Sequence, residues 1–256
     1  LPLFLHKVTG ELHPDTLETL VAPNCTLSYG IVQPGDDVPG GLPVVRPVDL
    51  GDKVVYAEGL KRIDPTLARS YTRTTLEGGD LLLCVRGTTG TVAVADLALA
   101  GANVTRGIVP IRFDPASVSQ ALGYYLMRSQ PVQAQIRAKT YGTALMQINI
   151  GDLRQIVIRF PQMEGQAALV ERLDAIQEAA DQLIDVYERK LAALDELKQS
   201  LLHQAFTGQL SAGGGIPTRA AQPSQTSFPQ FAAAIISLAH ERHRRQQRDM
   251  TFRHVK

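Results

Sequence analysis

Arg86, Thr88 and Thr89 stand in a glycine-bounded turn, RGTTG, and three further loops repeat its chemistry. These are SYGIVQPG, which holds Tyr29 and Gln33, GANVTRG, which holds Arg106, and YGTALMQINIG, which holds Thr143 and Gln147. Such side chains bridge phosphate oxygens or pair with base edges: Arg bidentately with guanine, Gln or Asn with adenine, Thr against a thymine methyl. Glycine lets a backbone approach that kind of surface closely. Taken singly, each loop is an ordinary turn between strands. Four of shared composition describe a surface that binds through hydrogen bonds.

Residues for bond-making are not arranged in comparable patterns. The sequence contains no GxGxxG fingerprint, no GxxxxGK[ST] phosphate loop, no HExxH and no GxSxG. It also lacks the Asn/Asp-Pro-Pro-aromatic motif with which amino-methyltransferases hold a flipped base. Asp185, Glu188 and Lys190, or Asp195, Glu196 and Lys198, resemble the acids and lysine of a metal-dependent nuclease. Both sets fall in a helical repeat, where such spacings make a solvated outer face. His203, His240, His243 and His254 do not cluster with acids, and Cys25 and Cys84 form no CxxC pattern. No catalytic residue, metal site or cofactor is therefore expected.

The elements that must hold the loops are of mixed type. Val44-Val45, Leu81 to Val85, Thr91 to Ala95 and Ile108 to Phe113 are short β-rich runs separated by glycine-containing turns. Asp64-Pro65 and Asp114-Pro115 each signal a helix start, with Asp as cap and Pro in the first turn. After the second start, Val118, Leu122, Tyr125 and Leu126 share a helical face, and Ser129-Gln130-Pro131 ends that helix and begins another. The expectation is an α/β (mixed α+β) domain over residues 17–161, preceded by a leader, residues 1–16, of unknown role.

Beyond Phe160-Pro161 the pattern changes. Leu173, Ile176, Ala180, Leu183, Tyr187, Leu194, Leu197 and Leu201 recur at alternating spacings of three and four, interrupted by Lys190. This predicts a helix over residues 162–208, about forty residues and roughly 60 Å long at 1.5 Å per residue. One small domain cannot bury such a stripe, so half of a coiled coil is expected, its interface on Leu173, Ile176, Leu183, Tyr187, Leu194, Leu197 and Leu201. Residues 209–229 read as a flexible Gly, Ala, Pro and Ser linker, and residues 230–256 as a basic amphipathic helical tail, the start of an extra domain in one reading.

The formal net charge of the 256 residues is only +1, yet it averages a slightly basic first domain, an acidic helix and a basic tail. With 44% hydrophobic and 20% charged residues the chain has the composition of a globular protein. No run of apolar residues is long enough to span a bilayer, and the opening LPLFLHKVTG lacks the layout of a secretory signal. A cytoplasmic location is expected.

The order of the motifs adds a resemblance. SYGIVQPG, LPVVRPVDL, GDLLLCVRGTTGTVAV, GANVTRGIVPIRF, INIGDLRQIVIRFP and ELKQSLLHQAFTGQL follow one another as in the specificity subunit of type I restriction-modification enzymes, over residues 17–210. The resemblance implies target-recognition domains of mixed α/β fold that each read half of a split DNA site, and long helices that dock the modification subunits. It also places Tyr29, Gln33, Arg86, Thr88, Thr89, Arg106, Thr143 and Gln147 on or near DNA-facing loops, with backbone positioning favoured over base reading for SYGIVQPG and RGTTG.

The partners implied are double-stranded DNA, DNA methyltransferase subunits, a restriction or translocase subunit, and a second copy or missing half of the specificity subunit. S-adenosylmethionine, ATP and magnesium would belong to the partner subunits, and none to this chain. A family member has two recognition domains and two long helices, whereas this sequence has one of each. It is read as the C-terminal half of a longer subunit or as a half-sized version that pairs. Two alternatives stay open: the recognition module of a fused restriction-methylation enzyme, and a coiled-coil scaffold with no DNA role.

Overall fold

The computed structural model describes residues 12–142 and 145–207. The expected linker and tail, and residues 1–11 of the expected leader, lie outside them. The chain divides into two compact units at the Leu173–Asp174 step, inside the long helix, rather than at Phe160-Pro161 where the composition changes. The reason is packing: Leu169 is buried in the core of the first unit, and Val170 and Leu173 pack against that core.

The first unit is built on three sheets. Strands β1 (His13–Thr16), β2 (Leu42–Val45), β3 (Val54–Val55), β4 (Lys61–Ile63), β5 (Leu81–Cys84), β6 (Val92–Ala95), β7 (Asn103–Val104), β8 (Ile108–Ile111) and β9 (Val157–Phe160) are short. They are ordered β3-β6-β5-β8, β4-β2-β7 and β1-β9. The pairings are antiparallel except β2–β7 and β3–β6, which are parallel. Helices α1 (Leu17–Leu20), α2 (Pro65–Ala68), α3 (Gln120–Arg128), α4 (Gln130–Lys139) and α5 (Ile150–Arg154) fill the connections. This is the mixed α/β arrangement expected.

Strand β5 is central because it is apolar throughout. An uninterrupted apolar run suits a strand buried on both faces, and alternation sends its side chains to opposite sides. Leu81, Leu83 and Val85 enter one core cluster with α1, α3, α4 and β9, while Leu82 and Cys84 enter a second with Val45, Leu50, Val55 and Val104. A third, smaller cluster of Ile31, Val44 and Ile63 lies under β4-β2-β7. Both cysteines are buried free thiols whose pKa is raised, first of all by burial.

Two expectations need revision. The helix signalled by Asp114-Pro115 begins later: Asp114 Oδ1 accepts from Ala116 N and closes a turn, and α3 starts only after Ser119, whose hydroxyl accepts from Leu122 N. In the segment expected to be a leader, residues 13–16 form β1, antiparallel to β9 with His13 opposite Phe160. The other helix starts fall where expected, with Asp64 accepting from Thr66 N ahead of α2 and Ser129 separating α3 from α4.

Helix α6 runs Met163–Phe206, 44 residues, or about 66 Å at 1.5 Å per residue. Within the second unit Ile176, Leu183, Tyr187, Leu194, Leu197 and Leu201 are all exposed, while Ile184 is buried. Lys190, the charged member of the stripe, places its ammonium 5.5 Å from the Tyr187 ring centroid. Among the described residues no helix is long and apolar enough to cross a membrane.

Candidate nucleic-acid interface

The four glycine-containing loops, far apart in sequence, are bonded to one another. Loop 28–35 lies along the end of β7: Ile31 N donates to Val104 O and Arg106 N donates to Ile31 O, both at 2.8 Å. Gly30 is required for this approach, since a Cβ there would stand 2.0 Å from the Val104 carbonyl oxygen. Its lack of a side chain thus serves the protein's own packing. Loop 101–107 runs into β8, and it is joined to the residue that follows β5, where Val85 N donates to Gly107 O at 2.8 Å.

Loops 86–90 and 141–151 meet as an irregular ladder. Gly87 N donates to Met146 O at 2.8 Å and Ile148 N to Val85 O at 3.0 Å, with Arg86 bridged antiparallel to Gln147. The Thr89 hydroxyl donates to Met146 O at 3.1 Å, and Tyr29 Oη donates to Ile148 O at 3.3 Å. Gly87 and Gly90 sit at φ +93° and +94°, a region that side chains avoid, which is why this turn carries glycine at both ends. Gln133 of α4 fastens the turn from behind, its Nε2 donating to Gly90 O and to Met127 O at 2.8 Å each. Tyr141 and Gln147 exchange two backbone hydrogen bonds of 2.8 Å and close the base of the last loop.

The loop residues singled out by the sequence differ in what they leave available. Gln33, Thr88 and Arg106 are exposed, whereas Tyr29, Arg86, Thr89 and Gln147 are half-buried. Thr143 lies outside the described residues. Burial pushes the Tyr29 phenol above its ordinary value and neighbouring Tyr141 adds to this, while a backbone hydrogen bond at Ile150 and the Arg106 charge oppose it. It remains a neutral donor. The Arg86 Nε is buried and makes no hydrogen bond with a described residue. Asn103, which shares a loop with Arg106, points inward and is buried.

The structure adds side chains that sequence reasoning passed over. Tyr141, Leu145 and Met146 are exposed on the last loop, 43–48% accessible, and offer apolar surface beside its polar groups. Across from Tyr29 and Gln33 lies the segment ARSYTRTT, residues 68–75. The two are separated by adjoining depressions of about 410 and 440 Å³ that share Ser70 and Tyr71. No glycine marks that segment, so only its placement reveals it. Among the described residues, no group of three His, Cys, Asp or Glu side chains is placed to hold a metal ion.

Comparison with known proteins places this geometry. The chain is 26% identical over 220 residues to the specificity subunit of the type I restriction enzyme EcoBI of Escherichia coli, covering 86% of this chain and 45% of that one. It therefore spans less than half the length of that curated relative. Among solved structures it resembles the HsdS subunit of Thermoanaerobacter tengcongensis, with TM-score 0.52 and 24% identity over 80% of this chain and 49% of that one. A chain from a study of complex assembly and conformational transition of the type I R-M system gives TM-score 0.57 and 24% identity, over 80% and 50%. These two likenesses concern the fold. The type I restriction modification DNA specificity domain family matches residues 36–190, more than half of the chain and three of the four joined loops, and the chain belongs to that family.

Proposed function

We propose that this chain recognises a specific double-stranded DNA sequence and does no chemistry on it, as one recognition unit of a type I restriction-modification assembly. The observation that carries this reading is the joining of four loops, rich in Arg, Thr, Gln and Tyr, by backbone hydrogen bonds in a domain of this family. Tyr29, Gln33, Arg86, Thr88, Thr89, Arg106, Thr143 and Gln147 are assigned to or near the DNA-facing side. The unit reads one half of a bipartite target. Its long helix carries the surface on which DNA methyltransferase subunits dock, and S-adenosylmethionine, ATP and magnesium belong to those subunits and to a restriction or translocase subunit. The other half of the target falls to a second copy or to a missing half of the subunit. Such an assembly works on cytoplasmic DNA.

A coiled-coil scaffold would account for the exposed apolar stripe but gives the joined loops no purpose. Selection of the full chain against a pool of random DNA duplexes, at two salt concentrations, separates the readings. Enrichment of one short sequence, with affinity falling as salt rises, is expected of a DNA reader. Recovery of no sequence above background would overturn the proposal.

A further inference from the structure

Segment 66–74 and loop 28–33 face each other across the two adjoining depressions, and the chemistry of segment 66–74 differs from that of the loop cluster. In the cluster, Tyr29 and Thr89 spend their hydroxyls on backbone carbonyls of the protein itself. In segment 66–74, the turn Thr72–Thr74 divides its side chains by direction. Thr74 is buried, its hydroxyl 2.8 Å from Asn103 Oδ1, and Asn103 Nδ2 donates to Tyr71 O at 3.0 Å. Thr72 and Arg73 on the same turn are exposed, and Arg73 makes no ion pair with a described residue. The buried amide and hydroxyl fix the backbone, so the two outward side chains start from a rigid mount, as recognition groups require.

The lining of the depressions narrows the ligand. Hydroxyl and amide groups from Gln33, Ser70, Tyr71 and Thr72 line the two depressions, Arg73 is the one cation among the lining residues, and no carboxylate is among them. A track for phosphates collects several cations. One Arg fork among neutral donors and acceptors instead matches the edges of base pairs in the major groove. Resting on the DNA-recognition reading above, we propose that Arg73 and Thr72, with Gln33 opposite, read base edges of duplex DNA, while the other three joined loops position the backbone.

The test compares the full chain with Arg73→Ala, Thr72→Ala and Gln33→Ala, selecting each from the random duplex pool and measuring affinity for an unselected duplex across salt. All three side chains are exposed, and thermal melting checks that each variant folds as the parent does. Arg73→Ala is expected to lose about five- to a hundred-fold of discrimination at one base pair, its affinity for the selected sequence falling by more than its affinity for the unselected duplex. Gln33→Ala is expected to relax a neighbouring position. If the parent selects a sequence and all three variants select it equally well, this assignment is overturned although the proposed function stands. It is overturned equally if Arg73→Ala weakens every duplex alike, because that is phosphate contact. If the parent selects nothing, the proposed function itself has failed.

Discussion

At the scale of single residues, Arg86 and Arg73 carry the same group in opposite settings. Arg86 is half-buried, bridged through its backbone to Gln147, with a buried Nε that no described residue accepts from. A buried unmatched donor is costly, a condition found where a residue has another task. Arg86→Ala is expected to weaken binding to all duplexes by a similar factor and to lower the salt slope by about 1. Loss of one base preference at unchanged nonspecific affinity, measured by titration across salt, would make Arg86 a reader instead. Arg86 was legible in the sequence because glycines at 87 and 90 mark its turn. Arg73 was not. RSYTRTT looks like any polar stretch until Asn103, distant in sequence, draws Thr74 inward and leaves Thr72 and Arg73 outside.

At the scale of elements, what the sequence reveals depends on how much regular pattern an element has. The run Leu81 to Cys84 and the 44-residue heptad helix announce themselves, whereas β1, spelled HPDT, has a proline and no apolar alternation. Its strand character comes from β9 alone. The same holds for loop 28–35, whose place beside β7 depends on an approach only glycine permits. Gly30→Ala is expected to destabilise the fold by about 1–3 kcal/mol, the range for overpacking, since its Cβ would meet the Val104 carbonyl oxygen. An unchanged melting temperature would mean that the loop and strand are not so closely packed. For α6, the exposed row is expected to drive self-association when no partner subunit covers it, because apolar patches of this kind mark interaction surfaces. Replacing Leu183 and Leu194 together by Glu should abolish association and leave the first unit folded, as burying unpaired carboxylates is costly. Sedimentation that finds the parent monomeric at tens of micromolar, or the double variant still associated, would refute it. Leu173, which the heptad assigns to this row, is half-buried against the first core instead.

At the scale of the molecule, the largest core cluster draws on residues 17–169 and the other two on residues lying within that span. A chain ending at Ser211 is therefore expected to remain soluble and to melt cooperatively, with the transition of the full chain. Aggregation or loss of that transition in calorimetry would assign the remaining segment a part in the fold. Charge separates the same regions: a slightly basic first domain, an acidic helix and a basic end that the overall +1 conceals. The joint between the loops has a consequence for substitution. Most of its bonds run from backbone to backbone, from Ile31 to Val104, Arg106 to Ile31, Gly87 to Met146 and Ile148 to Val85. Such bonds are indifferent to the side chains they pass. Exchanging the exposed groups at 33 or 106 is expected to change stability by no more than about 0.5 kcal/mol either way, as is usual for surface positions, and thermal melting checks it. A frame held together in this way keeps its geometry when the groups displayed on it are exchanged.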